Sequence, residues 1–200
     1  MQQSSLTDLA LRHGSLVRDS VVPSRMSLAA WYRAHSSGRL VRLHPGVARI
    51  AGTQPTPLLR IEAAIAASMP GSMAGGLTAA WLWGSPSAGG PVVELLAPPY
   101  RHPGRLNGVE FHRPTALPYP RSCTVSGLRT CDPLRSVLDV AAWNPTRLDA
   151  VLAELVGAGC FGIDAVHDML GRERRQGRPG VTALAGALSR WSGDRLPALV

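Results

Sequence analysis

The sequence predicts an α+β fold, with a small basic helical module first and a mixed α/β domain after it. Three observations carry this. The first 52 residues run helix, helix, helix and then a two-stranded hairpin. Positive charge is concentrated in the same stretch: residues 1–60 hold eight arginines against Asp8 and Asp19, whereas residues 61–200 hold thirteen against eleven acids. From Pro57 onward, segments of helix and strand length follow each other, as expected of a small sheet packed by several helices. Three helices and a hairpin in that order are the chain order of a winged helix-turn-helix. There the third helix enters the major groove and the hairpin lies on the backbone or minor groove. The expected domains are a winged helix-turn-helix over residues 1–52 and an α/β domain over residues 57–200, joined by the linker-like TQPTP at 53–57.

The first expected helix covers SSLTDLALR at 4–12, capped by Ser4 or Ser5 and ended by His13-Gly14. A short second helix is expected over Val17–Val22, stopped by Pro23. The third starts near Ser27 and ends at Gly38, a good residue just past a helix C-terminus. Spacing puts Leu28, Trp31 and His35 on its core face and turns Ala29, Tyr32, Arg33 and Ser36 the other way. Trp31 reads as a core residue and His35 as a boundary one.

GRLVRLHPGVARIAG at 38–52 reads as the hairpin, with Pro45-Gly46 at the centre of a type II turn. A two-residue connection sets Arg42 opposite Arg49, Leu43 opposite Ala48 and Val41 opposite Ile50. Alternation then turns Val41, Leu43, Ala48 and Ile50 inward. Like charges directly opposite each other weaken a sheet by roughly 0.2–1 kcal/mol, a cost that a bound phosphate converts to attraction. A solvated edge hairpin blunted by arginine is the other reading of the same residues.

Past the linker, PLLRIEAAIAAS (57–68) reads as an amphipathic helix, MPGSMAGG (69–76) as a turn, LTAAWLWG (77–84) as a short apolar helix and PVVELLAP (91–98) as a strand. YRHPGRLNG is a basic loop, VEFHR a strand, and SCTVSGLRT one or two more. Helices are expected in DPLRSVLDVAAW, PTRLDAVLAELVGAG, FGIDAVHDMLGRERRQG and RPGVTALAGALSRW.

All 21 basic residues are arginine, and the net charge is +8. Codon bias in a GC-rich genome accounts for the missing lysine and for the load of Ala, Gly and Pro. The gap still excludes chemistry: no Walker A lysine, no Schiff-base lysine and no intact PD-(D/E)xK nuclease site can be present. Cys123, Cys131 and Cys160 form no C-x-x-C pair, so reduced, buried thiols are expected rather than a zinc knuckle. No apolar run is long enough to span a bilayer. The N-terminus has neither the basic nor the apolar region of a signal peptide, so the expected compartment is the cytoplasm.

No catalytic constellation stands out. GSMAGG at 71–76 lacks the lysine of a phosphate-cradling loop. His102 and His112 have no paired carboxylates at a ligand spacing, and Glu94 and Glu110 read as solvated strand residues. Asp132-Pro133 reads as a helix cap followed by proline at the first helical position. Ser136 has no histidine partner in sequence. No cofactor and no metal are expected. Two basic clusters remain, Arg101, His102, Arg105 and Arg113, and Arg172, Arg174, Arg175 and Arg178. They read as solvated faces or as auxiliary contacts to a DNA backbone or an acidic partner.

The segment MSLAAWYRAHSSGRLVRLHPGVARIAG resembles the helix-plus-wing signature of the AbiEi family of antitoxin-like proteins, a basic helix followed by S-G-R-[LW]-x-R-[LV]-H-P-G-V-Y. Ser37, Gly38, Arg39, Leu40, Arg42, Leu43, His44, Pro45, Gly46 and Val47 match it, and Ala48 stands where the tyrosine would be. LTAAWLWG, VEFHRP and LRTCDPLRSVLDVAA resemble later stretches of the family, with Ser136 in place of a threonine. The likeness runs over about residues 5–190. It implies a winged helix-turn-helix that binds the promoter of its own operon, and a C-terminal domain that neutralises a nucleotidyltransferase-like toxin in a type IV system. Many relatives carry a further Vsr-like endonuclease domain beyond the equivalent of Val200.

The expectation is thus a non-enzymatic transcriptional regulator whose partners are double-stranded DNA and a cognate toxin. Its DNA-contacting residues would be Ser27, Ala29, Tyr32, Arg33, Ser36, Arg39, Arg42, His44 and Arg49, with Arg101, Arg105, Arg172, Arg174 and Arg175 as auxiliaries. A protein-interaction module, or the remnant of a nuclease-family chain without its catalytic domain, are the alternatives.

Overall fold

The structure, a computed structural model, describes residues 16–18, 27–99, 102–114, 119–174 and 178–193. The expected helix at 4–12 lies outside them. Among the described residues are seven α-helices and two small sheets, so the fold class is α+β as the sequence predicts. The chain divides into two compact units, residues 1–70 with 102–109 and residues 71–101 with 110–200.

The first unit holds β1 (Leu16–Arg18), α1 (Leu28–Ser36), β2 (Leu40–His44), β3 (Val47–Ile50) and α2 (Pro57–Ala67). The sheet order is β1-β3-β2, antiparallel throughout. The expected second helix over Val17–Val22 is not what Val17 joins: Leu16–Arg18 is a strand along β3, with Val17 opposite Ala48. Leu16 and Val17 are both buried, one on each face of the sheet. Val17, Leu40, Ala48 and Ile50 pack with Trp31 and Ala34 of α1. Leu16, Val47 and Leu43 pack with Leu59 and Ala63 of α2. A strand covered on both faces shows a continuous apolar run without alternation, which is why the sequence reads as helix there.

TQPTP, expected as a linker, runs into α2 at its last two residues. Thr56 caps that helix, its Oγ1 accepting from the Leu59 amide at 3.1 Å, and Pro57 takes the first turn, where no intrahelical N–H is required.

The hairpin turn forms as expected, with Gly46 at φ +72°, the left-handed value that the third position of a type II turn requires. The register does not. His44 pairs with Val47, but Arg42 then pairs with Ala48, Val41 with Arg49 and Leu40 with Ile50, leaving Leu43 as a bulge. A type II turn splays two strands whose natural twist is right-handed, and one extra residue restores the twist. Hence Arg42 does not face Arg49, and Leu40, not Val41, points into the core.

The second unit is built on a five-stranded sheet of order β6-β5-β4-β8-β7. Its strands are β4 (Met73–Ala74), β5 (Val93–Leu96), β6 (Val109–His112), β7 (Ser122–Val125) and β8 (Leu128–Cys131). Met73-Ala74 lies inside the segment expected to be only a turn; two fully buried residues are too short a run to show a period. β4 pairs antiparallel with β5 and parallel with β8, and β7–β8 is a hairpin turned by Ser126-Gly127, both at positive φ. The helices are α3 (Gly76–Leu82), α4 (Pro133–Trp143), α5 (Leu148–Gly157), α6 (Ile163–Glu173) and α7 (Val181–Gly193). Asp132 caps α4 as expected, accepting from the Arg135 amide at 2.9 Å. Val137, Val140, Val151, Leu152, Leu155, Val166 and Leu184 form its helical core. No helix among the described residues is long and apolar enough to cross a membrane.

Candidate nucleic-acid interface

Helix α1 starts at Ser27, whose Oγ accepts from the Ala30 amide at 3.2 Å. Trp31 and Ala34 point into the core of the first unit. His35 meets the Trp31 ring edge-on at 4.6 Å and is half-buried, a boundary residue as expected. Leu28 departs from the expected core face: it is 63% exposed and stands one turn before Tyr32, which is 61% exposed. Ala29, Arg33 and Ser36 are exposed as well. The free face of α1 is therefore Leu28, Ala29, Tyr32, Arg33 and Ser36, and it carries no acid. The Ser36 hydroxyl donates to the Arg33 carbonyl at 3.2 Å.

The four expected basic contacts of this unit fall into two groups. Arg33 and Arg42 are exposed, and no described residue holds either guanidinium by a hydrogen bond or an ion pair. Arg39 is exposed with its Nε 3.2 Å from Ser37 Oγ, and Arg49 is half-buried with its Nη1 donating to the Thr53 carbonyl at 2.8 Å. His44 is half-buried, and burial pushes its pKa below the usual histidine value, so at neutral pH it brings no positive charge to a phosphate. Over residues 27–70 the one acid is Glu62 on α2, whose carboxyl is pushed up by burial and held down in part by Arg18.

The auxiliary cations are scattered. Arg101 and Arg175 lie outside the described residues. Arg105 is exposed and belongs to the first unit. Arg172 and Arg174 are exposed in the second unit; Arg172 Nε donates to the Asp168 carbonyl, and Arg178 forms a 2.7 Å ion pair with Glu173.

Sequence reasoning missed a buried polar cluster in the second unit. Glu94 is 5% exposed, not solvated. Its Oε2 accepts from the Leu77 amide at 2.7 Å and its Oε1 from Asn144 Nδ2 at 2.8 Å. Its backbone N–H donates to Thr78 Oγ1 at 2.8 Å. Asp139, also buried, accepts from Arg135 Nε at 2.8 Å with its Oδ1, while its Oδ2 has no hydrogen-bond partner among the described residues. Burial outweighs the arginine and raises the Asp139 carboxyl to about 7. Glu94 thus receives the Leu77 amide in the first turn of α3, at the positive end of that helix. A Cβ at Gly76 would collide with Glu94 Oε2, and Gly76 sits at φ +48°. The sequence signal was the glycine pair 75–76 ahead of an apolar helix.

His112, which the sequence does not place near paired carboxylates at a ligand spacing, brings one ring nitrogen within 4.8 Å of oxygens of both Glu94 and Glu110. Its ring stacks on Trp143 at 3.6 Å, and burial lowers its pKa. Glu94 already uses both oxygens on Leu77 and Asn144, whereas His112 Nε2 lies 4.0 Å from Glu110 Oε2 and has no hydrogen-bond partner among the described residues. Of the cysteines, Cys131 is buried, Cys123 and Cys160 are half-buried, and all three are free thiols.

No model of a known protein family matches the chain, and no curated protein matches it. Among solved structures, the RV2827C protein from Mycobacterium tuberculosis is similar over 92% of this chain and 74% of its own, at 20% identity and a TM-score of 0.62. At that identity the likeness is one of fold.

Proposed function

We propose that the chain is a non-enzymatic, cytoplasmic transcriptional regulator that binds double-stranded DNA through α1 and the β2–β3 hairpin. The observation that carries this is the pairing of an acid-free, exposed α1 face with the guanidinium groups of Arg33 and Arg42, neither engaged by any described residue. The exposed helix α1 followed directly by the hairpin, in a sheet of order β1-β3-β2, supports reading the unit as a winged helix-turn-helix, with the hairpin as the wing. In that reading α1 enters the major groove and Arg42 lies on phosphate. Arg39 reaches the backbone beside it, and Arg105 is an auxiliary contact from the same unit. The antitoxin-like likeness of the sequence extends the proposal: the DNA is the promoter of the chain's own operon, and the second unit binds a nucleotidyltransferase-like toxin.

The test is fluorescence anisotropy of the purified protein on its own upstream DNA and on scrambled DNA over a salt series. Tight, sequence-selective binding with a steep salt slope supports the regulator. Equal, weak binding to both removes it and leaves the protein-interaction module as the reading to pursue.

A further inference from the structure

The exposed face of α1 has an unusual division of labour. Its two serines are occupied: Ser27 Oγ accepts the Ala30 amide, and the Ser36 hydroxyl donates to the Arg33 carbonyl. What remains free is Leu28, Ala29, Tyr32 and Arg33. Leu28 and Tyr32 are one turn apart on one ridge, and Ala29 and Arg33 are one turn apart on the next. Leu28 and Ala29 open the helix, the end from which a recognition helix reaches base edges. In a major groove, the apolar feature offered to such side chains is the thymine 5-methyl group, while arginine matches the O6/N7 edge of guanine.

Resting on the DNA-binding reading above, we infer that Leu28, Ala29 and Tyr32 are specificity-determining residues that read thymine methyl groups, with Arg33 reading an adjacent guanine. The ligand class is duplex DNA with thymines clustered beside a guanine. The surrounding charge favours DNA as the occupant of this apolar ridge, since Arg33 on the same face and Arg42 on the hairpin are both unengaged among the described residues.

The experiment uses the full chain. Binding sites are selected from a random duplex pool, and each thymine of the enriched site is then replaced singly by deoxyuridine, which keeps the pairing edge and removes the methyl. Affinity is expected to fall about fourfold at each contacted thymine, the effect of one buried methyl-sized group. Leu28→Ala and Tyr32→Ala should lose the thymine-over-uracil preference while keeping the wild-type salt slope; both side chains are exposed, and thermal melts verify folding. Equal affinity for thymine and uracil at every position of an enriched site overturns the methyl readout and leaves DNA binding standing. Binding without enrichment overturns it as well. No binding to any duplex removes the DNA-binding reading itself.

Discussion

The Arg49 guanidinium hydrogen-bonds the Thr53 carbonyl at 2.8 Å, tying the end of β3 to the turn that leads into α2. Arg42, across the hairpin and offset by the Leu43 bulge, has no such partner among the described residues. Two arginines that look equivalent in sequence therefore have different work: one holds the first unit together and the other is available to a ligand.

Substitution should separate them. Arg33→Ala combined with Arg42→Ala is expected to flatten the salt slope of DNA binding by about 1, roughly 0.9 for the phosphate that Arg42 no longer neutralises, and to relax the base preference set by Arg33, with the melting temperature unchanged. Arg49→Ala should cost about 1 kcal/mol of stability, because the Thr53 carbonyl is left without its guanidinium donor. Urea titration and anisotropy read the two effects. A slope that changes only with Arg49 would reverse the assignment.

Gly46 bears on the same hairpin. At φ +72° an L side chain is strained, so Gly46→Ala is expected to destabilise the first unit by about 1–2 kcal/mol. Gly46→Asn should cost less, because asparagine tolerates that region. Urea midpoints of the two variants test the order; equal midpoints would mean that the turn relaxes.

Gly76→Ala is expected to be among the most damaging single changes, about 2 kcal/mol or more, because the added methyl meets the Glu94 carboxylate and the Trp143 ring at a left-handed backbone position. Circular dichroism melts measure it. A wild-type melting temperature would show that the clamp around α3 gives way freely.

Asp139 predicts a pH dependence. Its folded pKa, about 7, is raised above the ordinary aspartate value, so between about pH 4 and 7 the folded chain keeps a proton that the unfolded chain has released. Stability from this group is full below that window and is lost as pH rises through it. Glu94, also raised, acts with the same sign. The urea midpoint should therefore fall from pH 5 to pH 8, and the fall should shrink in Asp139→Asn. Parallel curves for the two proteins would assign the slope to other groups.

The sequence makes some of this legible and hides the rest for physical reasons. The α1 boundaries, the Pro45-Gly46 turn, the Asp132 cap and the later helices follow from local chemistry: caps, turn residues and a 3.6-residue period. The bulge at Leu43 does not, because it arises from a conflict between turn and strand twist that depends on the partner strand. β1 escapes because a strand buried on both faces has no alternation. Spacing alone assigns Leu28 to the core, although a residue at the start of a helix can sit beyond the edge of the sheet below it. The Glu94 clamp joins β5, the Leu77 amide of α3 and Asn144 at the end of α4, and no short window of sequence contains all three.

Strand β4 has a kinetic consequence. Two residues, Met73 and Ala74, occupy the middle of the second sheet, and the parallel joint closes only when Ala74 finds Thr130, far along the chain. Closing such a loop forfeits chain entropy before its hydrogen bonds give anything back, whereas the β7–β8 hairpin closes through a two-residue turn. We expect the hairpin to be formed at the folding barrier and the central joint to form after it, so that Ala74→Gly speeds unfolding and leaves the refolding rate alone. A stopped-flow chevron with an altered refolding limb would instead put Met73 and Ala74 in the nucleus.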